Sequence, residues 1–393
     1  MEVKWNNHVV ILYDKSKDEH VANALHFYIE TEFHPCDVIL VDHADYTHSV
    51  IRRFKDTTHR FAVRHARGIL RVVSEKREAK ALQHIKDQNS DRNATPDAEK
   101  ETKDPEVARV LNVFRRFDPV MIMCTTPYSL GLALRAKVLY GKMVCVVGAV
   151  TDFALDPAFV YLNADGYFVE NPEIKQNLIN YGVDPTCISV IGMPSLKVDN
   201  GMTLEEKRHL LGLTDDLPVV VINGGEYNTD TQREDVALLM KNKAKFNMVI
   251  ITSDKGKRRY TELPEYSAGV LFHPQLDDTV MDVADILITV PQSKAVFAAF
   301  MRGVSVVVTK AVTSHEHDVR RYLVKRALVI PSRTPMETLF AVEELLDDPE
   351  RNEEFRMRGE TYASMSLADI RNVLPPIQTT VSLRIEGGGT DPE

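Results

Sequence analysis

Short apolar runs alternate with helical segments along almost the whole chain, and this rhythm restricts the fold more than any other feature. In the first half, HVVILY (His8–Tyr13) and CDVILV (Cys36–Val41) flank a segment with helical spacing at Glu19–Glu32. Further on, helix Val107–Phe117, strand Val120–Cys124, helix Tyr128–Leu139 and strand Met143–Val147 follow. The second half repeats the pattern. Strands are expected at 218–223, 248–252, 270–272, 286–289, 305–309 and 327–330, with helices at 230–241, 279–283, 293–302 and 316–326. Strands of four to seven apolar residues between helices are buried on both faces, so they belong to parallel sheets covered by helices. A chain of 393 residues is too long for one such unit. The expectation is therefore an α/β protein with two doubly wound domains facing a cleft, where ligands meet the carboxyl ends of the strands.

The domain limits follow from the same reading. Residues 1–195 form an N-terminal domain with a flexible polar insertion at 83–106, 203–365 form a C-terminal domain, and 366–393 form a helix and tail returning to the first. Gly192-Met193-Pro194 closes the last strand of the first domain. Nothing in the sequence decides between a monomer and a homo-oligomer.

Composition narrows the environment. The net charge of −9 argues against a general nucleic-acid binder. No apolar run is long enough to span a bilayer, and the N-terminus lacks a signal-peptide pattern. Cys36, Cys124, Cys145 and Cys187 are scattered, three of them in apolar strand-like runs. They read as buried thiols in a reducing compartment, which points to the cytoplasm. Residues 50–80 depart from the average, with ten basic residues against three acidic ones. Arg52, Arg53, Arg60, Arg64, Arg67 and Arg71 are interleaved there with Val50, Ile51, Phe54, Phe61 and Ile69. A basic amphipathic stretch suits an anionic membrane surface, and equally a solvated helix packing its apolar stripe on its own domain.

One block carries a family resemblance. It contains Thr151-Asp152-Phe153, Phe159-Val160, Asp165-Gly166-Tyr167-Phe168-Val169, Gly182-Val183 and the run from Ile188 to Pro194. It resembles the diacylglycerol glycosyltransferases, a group that includes the processive diacylglycerol glucosyltransferases and the monogalactosyldiacylglycerol synthases. The resemblance extends more weakly over residues 5–370. It implies the GT-B fold and an inverting transfer of a hexose from a UDP-sugar to a lipid or lipid-linked acceptor at a membrane face. The donor would sit in the C-terminal domain and the acceptor near the N-terminal one, with the basic stretch at the membrane. No cofactor is implied beyond the UDP-sugar substrate.

The resemblance also implies site residues. His20 matches the histidine of the family's first Gly-rich loop, although here Lys17-Asp18-Glu19 replace the glycines. His20 or Asp152 is the candidate base. Gly224 and Gly225 match a Gly-rich diphosphate turn whose later glycine is here Asn228. Phe272-His273 fall on the loop that contacts uracil, Ser293 at the phosphate-facing helix start, and His315-Glu316 on the pair that reads the sugar. The family glutamate that takes the ribose hydroxyls is replaced by Ala298. Residue type alone, not the resemblance, suggests that helix N-termini and Lys255, Lys257 or Lys294 would neutralise the phosphates in place of a metal. His315 and His317 stand two apart and do not share a helix face, so no metal site is expected. The departures support a second reading, a GT-B scaffold that binds without catalysing.

Overall fold

In the computed structural model the described residues are 8–32, 36–46, 67–90, 103–197, 201–224, 231–242, 245–266 and 269–373. They divide into two compact units. One comprises described residues within Met1–Thr57, Lys76–Leu196 and Met365–Glu393; the other comprises those within Thr58–Glu75 and Lys197–Ser364.

The first unit is built on β1 (His8–Tyr13), α1 (Lys15–Glu32), β2 (Asp37–Asp42), α2 (His43–Tyr46), α3 (Arg67–Ser90, from Lys76 onward), α4 (Pro105–Phe117), β3 (Met121–Cys124), α5 (Pro127–Tyr140), β4 (Cys145–Val150), β5 (Gly166–Val169), α6 (Pro172–Asn180) and β6 (Ile188–Val190). All strand pairs are parallel, in the order β2-β1-β3-β4-β5-β6. Val10, Leu12, Ile122 and Val146 pack against Val110 and Phe114 of α4 and Leu130 and Ala133 of α5 on one face. Val9, Ile11, Met121 and Met123 pack against Val21, Leu25 and Ile29 of α1 on the other. Successive strand residues point to opposite faces, so continuous apolar runs are what two covered faces require.

The second unit contains α7 (Leu204–Leu210), β7 (Val219–Asn223), α8 (Thr231–Lys241), β8 (Asn247–Ile251), α9 (Asp254–Thr261), β9 (Val270–His273), α10 (Asp278–Val283), β10 (Ile286–Thr289), α11 (Ser293–Phe300), β11 (Ser305–Val308), α12 (Ser314–Lys325), β12 (Ile330–Pro331), α13 (Pro335–Asp347) and α14 (Pro349–Asp369, up to Ser364). Its sheet is also parallel, in the order β12-β11-β10-β7-β8-β9. A buried ion network braces it. The Asp282 carboxylate of α10 receives Lys207 Nζ at 2.8 Å and Arg302 Nε at 2.7 Å.

Three differences from the sequence reading have physical causes. Residues 83–90, expected as part of a flexible insertion, complete helix α3. Ile85 buries its side chain in the core, and Gln88 both accepts from Leu162 N–H at 2.7 Å and donates to Val160 C=O at 3.3 Å. A polar helix end can therefore be held by one apolar anchor and a few side-chain bonds to loop backbone. Residues 91–102 of that insertion lie outside the described residues. Helix α9 was not foreseen; its sequence DKGKRRYT has little apolar periodicity, but Ser253 caps it and Tyr260 is buried. The last strand is Ile330–Pro331 rather than 327–330, because Ala327 takes a positive φ of 52° in the turn after α12.

Gly192 explains why the first unit ends on Ile-Gly-Met-Pro. Its φ is +72°, and a Cβ there would lie 1.9 Å from the Ser366 carbonyl oxygen. Met193 N–H donates to Ser366 Oγ at 2.7 Å, and Asn372 Nδ2 donates to Val190 C=O at 2.9 Å. Residues 365–373 thus pass directly over the strand end, close enough that only glycine fits.

Candidate functional site

In each unit the candidate residues lie at the carboxyl edge of the sheet. The first sheet reverses its strand order between β1 and β3, the place where such sheets bind ligands. Immediately after β1, Asp14 Oδ1 accepts from Ser16 N–H at 3.0 Å and Ser16 Oγ at 2.6 Å. Burial alone would raise the Asp14 carboxyl, but the Ser16 bonds and Lys17 outweigh it and hold the group below its ordinary value. Asp18 breaks the helical dihedrals of α1 (φ −122°, ψ 15°), and its carboxylate receives Thr125 Oγ1 at 3.4 Å from the end of β3.

His20 follows this kink on α1 and is exposed. Asp152 follows β4, half-buried, with its Oδ1 accepting from Phe153 N–H at 2.7 Å. His20 and Asp152 thus follow β1 and β4, with only β3 between those two strands. Asp14 and Asp18 were missed from the sequence. The available signal was an acidic pair four apart directly after the first buried strand.

The second sheet reverses its order between β7 and β10. Asn223, the last residue of β7, is buried, and its Nδ2 donates to Thr289 Oγ1 of β10 at 3.4 Å. Gly224 follows it; Gly225 lies outside the described residues. From β10 the chain makes a tight turn, with Gln292 N–H donating to Val290 C=O at 2.6 Å, and enters α11 at the buried Ser293. The N-cap residue Gln292 makes no side-chain capping bond. This helix start, with no capping side-chain bond and following the strand that pairs with β7, has the backbone N–H groups and dipole end to which anions generally bind. Ala298 is half-buried on α11 and offers no side-chain acceptor.

Helix α12 begins differently. Thr313 and Glu316 form a complete capping box: Glu316 N–H donates to Thr313 Oγ1 at 3.2 Å, and Glu316 Oε2 accepts from Val312 N–H at 2.6 Å and Thr313 N–H at 3.2 Å. Burial raises the Glu316 carboxyl; the two backbone N–H groups, His315 and His317 oppose the rise without cancelling it. One oxygen of this carboxylate is therefore committed to its own helix. The spacing Thr-x-x-Glu announced that capping role in the sequence, where only sugar recognition was considered. His315 is half-buried beside it.

Phe272 and His273 end β9, two strands away from β7. The Phe272 ring has Lys257 Nζ 5.2 Å from its centroid, and His273 Nδ1 lies 2.7 Å from the Gln275 carbonyl oxygen. With Leu210, Leu211, Val249 and Leu271 they line a cavity of about 350 Å³. Lys294 is exposed on α11, and the Lys255 side chain lies outside the described residues.

Of the basic stretch, 47–66 is outside the described residues, which removes Arg52, Arg53, Arg60 and Arg64 from view, and nothing is described of the Arg67 side chain. Arg71 is exposed on α3 and pairs with Glu75 at 2.8 Å. Val72 and Val73 beside it are about half exposed. Among the described residues no group of three or more His, Cys, Asp or Glu side chains is placed to hold a metal ion, and no helix is long and apolar enough to cross a membrane.

Residues 18–194 match the family model described as monogalactosyldiacylglycerol (MGDG) synthase. A processive diacylglycerol beta-glucosyltransferase of Bacillus pumilus is 24% identical over 257 residues, which covers 63% of this chain and 66% of that protein, just under two thirds of its length. The enzyme of the same description from Staphylococcus aureus (strain Newman) is 22% identical over 253 residues, covering 62% of this chain and 63% of the relative. Among solved structures, a UDP-GlcNAc 2-epimerase from Neisseria meningitidis bound to UDP-GlcNAc superposes with a TM-score of 0.62 at 12% identity, over 94% of this chain and 99% of that one. The Anabaena protein HepE in complex with UDP and glucose gives a TM-score of 0.59 at 12% identity, over 95% of this chain and 100% of that one. By sequence over residues 18–194 the chain is similar to the MGDG synthases and processive diacylglycerol glucosyltransferases, and along nearly its whole length it shares the GT-B fold of these solved structures.

Proposed function

We propose that this protein is an inverting glycosyltransferase that moves a hexose from a UDP-sugar to the hydroxyl of a lipid or lipid-linked acceptor. The observation that carries the reading is the second unit's switch point. There Gly224 follows β7, and Ser293 starts α11 just after the paired strand β10 with no capping bond from the Gln292 side chain, in a chain whose first half matches the MGDG synthase model. In the proposed step the acceptor oxygen attacks the anomeric carbon as the bond to the diphosphate breaks. His20 or Asp152 takes the acceptor proton, and the α11 N-terminus with Lys257 or Lys294 stabilises the leaving UDP. Uracil would lie beside Phe272 and His273, and the sugar beside His315 and Glu316. The exposed Val72 and Val73 among Arg71, Lys76 and Lys80 support docking on the cytoplasmic face of an anionic membrane.

A specific feature favours the alternative of a non-catalytic GT-B scaffold: Ala298 offers no acceptor for a ribose diol, and one oxygen of Glu316 is already engaged in capping. Two measurements decide between them. Incubation with UDP-glucose or UDP-galactose and diacylglycerol should yield glycolipid and UDP. Calorimetry of UDP should show binding that tightens roughly tenfold or more in Ala298→Glu, as a regained charged acceptor of ~1.5–3 kcal/mol implies. An intact fold with no glycolipid formed, and no UDP binding in either form, would leave the scaffold reading.

A further inference from the structure

The outward face of α12 carries His317, Arg320, Arg321 and Lys325, with Val324 among them, around an open hollow of about 450 Å³. Their spacing of three, four, seven and eight residues puts all five on one helix face, spread over roughly 12 Å at 1.5 Å per residue. The same face carries one acid, Asp318, and Arg321 binds it at 2.6 Å.

Arg320 is the key group. It is half-buried, and its Nε is buried without a hydrogen-bond partner among the described residues. The groups that act on it from the neighbouring element are Arg333 and Glu337. Glu337 acts on Arg320 by charge but forms no ion pair with it, and its Oε2 accepts from Arg333 N–H at 2.7 Å just before α13. Burial and the charge of Arg333 depress the Arg320 guanidinium below its ordinary value, and Glu337 offsets this only in part. The Nε is shielded from solvent, but Arg320 lines the open hollow and has no ion pair among the described residues, so the rest of its guanidinium fork is available to an external anion.

We propose that the α12 face is a binding site for a phosphate-bearing anion, with Arg320 as its central contact and His317, Arg321 and Lys325 around it. The site begins at His317 and runs toward the C-terminal end of α12, so it does not use Gly224, Ser293 or the capping carboxylate of Glu316. Phosphate suits it because a guanidinium fork and an ammonium together match several oxygens of one tetrahedral anion. Free phosphate and a phosphomonoester lipid headgroup share that chemistry.

The test compares the full-length protein with Arg320→Gln and Lys325→Gln, after denaturation midpoints establish that each variant folds. Inorganic phosphate is titrated by calorimetry with and without saturating UDP. Vesicles of phosphatidylcholine, with and without phosphatidic acid, are assayed by co-sedimentation. The expected result is phosphate binding that persists with UDP present and weakens about tenfold in each variant, the factor that ~1.4 kcal/mol produces. Phosphatidic acid-dependent sedimentation that falls in both variants assigns a lipid source; a variant effect confined to inorganic phosphate assigns a soluble one. Binding abolished by UDP, or no difference between wild type and Arg320→Gln in either assay, overturns the proposal.

Discussion

Replacing Gly192 with alanine tests the way the chain end is seated on the first unit. A left-handed backbone costs an alanine about 1–2 kcal/mol, whatever surrounds it. At Gly192 the added Cβ would also lie 1.9 Å from the Ser366 carbonyl oxygen, a backbone atom that cannot rotate away. The crossing segment must move, and the buried bond from Met193 N–H to Ser366 Oγ goes with it, which adds about 1–3 kcal/mol. Gly141 supplies the control, because its φ is +74° but nothing lies within 4 Å of the built Cβ. Gly192→Ala should therefore lose ~2–5 kcal/mol in urea denaturation, against ~1–2 kcal/mol for Gly141→Ala, with Ser366→Ala near 1 kcal/mol. Limited proteolysis should release the segment after Ser364 from Gly192→Ala far faster than from wild type. Equal losses for the two glycine variants, or wild-type protection of the C-terminal segment, would refute the argument that close approach dictates this glycine.

Asp235 is buried and its carboxyl is raised, mainly by desolvation, with Thr338 Oγ1 at 2.7 Å opposing. A raised folded-state pKa means the folded protein holds its proton longer. Its stabilising contribution is therefore present at low pH and lost as pH rises from about 4 through the raised value, so Asp235→Asn should flatten that loss and raise the Tm at pH 7. Asp282→Asn should cost about 3–5 kcal/mol, because Lys207, with its side chain 9% exposed, and Arg302 lose their shared carboxylate. A Tm change under one degree would contradict that. Glu316→Ala should cost ~1–2 kcal/mol through the lost cap of α12, measured by denaturation without ligand. Reversing Arg60, Arg64, Arg67 and Arg71 to Glu should weaken co-sedimentation with anionic vesicles in a salt-dependent way, at about 1 kcal/mol per charge.

Elements buried on both faces were readable from sequence because their pattern is nearly continuous. HVVILY and ILIT fall on β1 and β10 as strands within two parallel sheets. Elements held by polar groups were not. Helix α9 depends on the Ser253 cap and the buried Tyr260, and the end of α3 on Ile85 and the amide of Gln88, so neither shows the periodicity that marks a helix. At the candidate site the positions at strand ends were legible from glycines and turn residues. The occupations were not, because a carboxylate that caps its own helix, as Glu316 does, has the same letter as one that reads a sugar. Asp14 and Asp18 are not legible as a pair because their roles depend on the Ser16 turn and on Thr125, which is distant in sequence.

The grouping of the described residues after Ser364 with the first unit has a consequence for synthesis on the ribosome. The stretch Lys197–Ser364 is contiguous, so its sheet has every strand as soon as it emerges. The first unit has all six strands by Val190 but lacks the segment that lies over Gly192. At ~5–20 residues per second, that strand end waits roughly ten to thirty seconds for its cover. During that interval the Met193 N–H lacks its acceptor Ser366 Oγ, and the first unit is sealed only once synthesis has passed that residue.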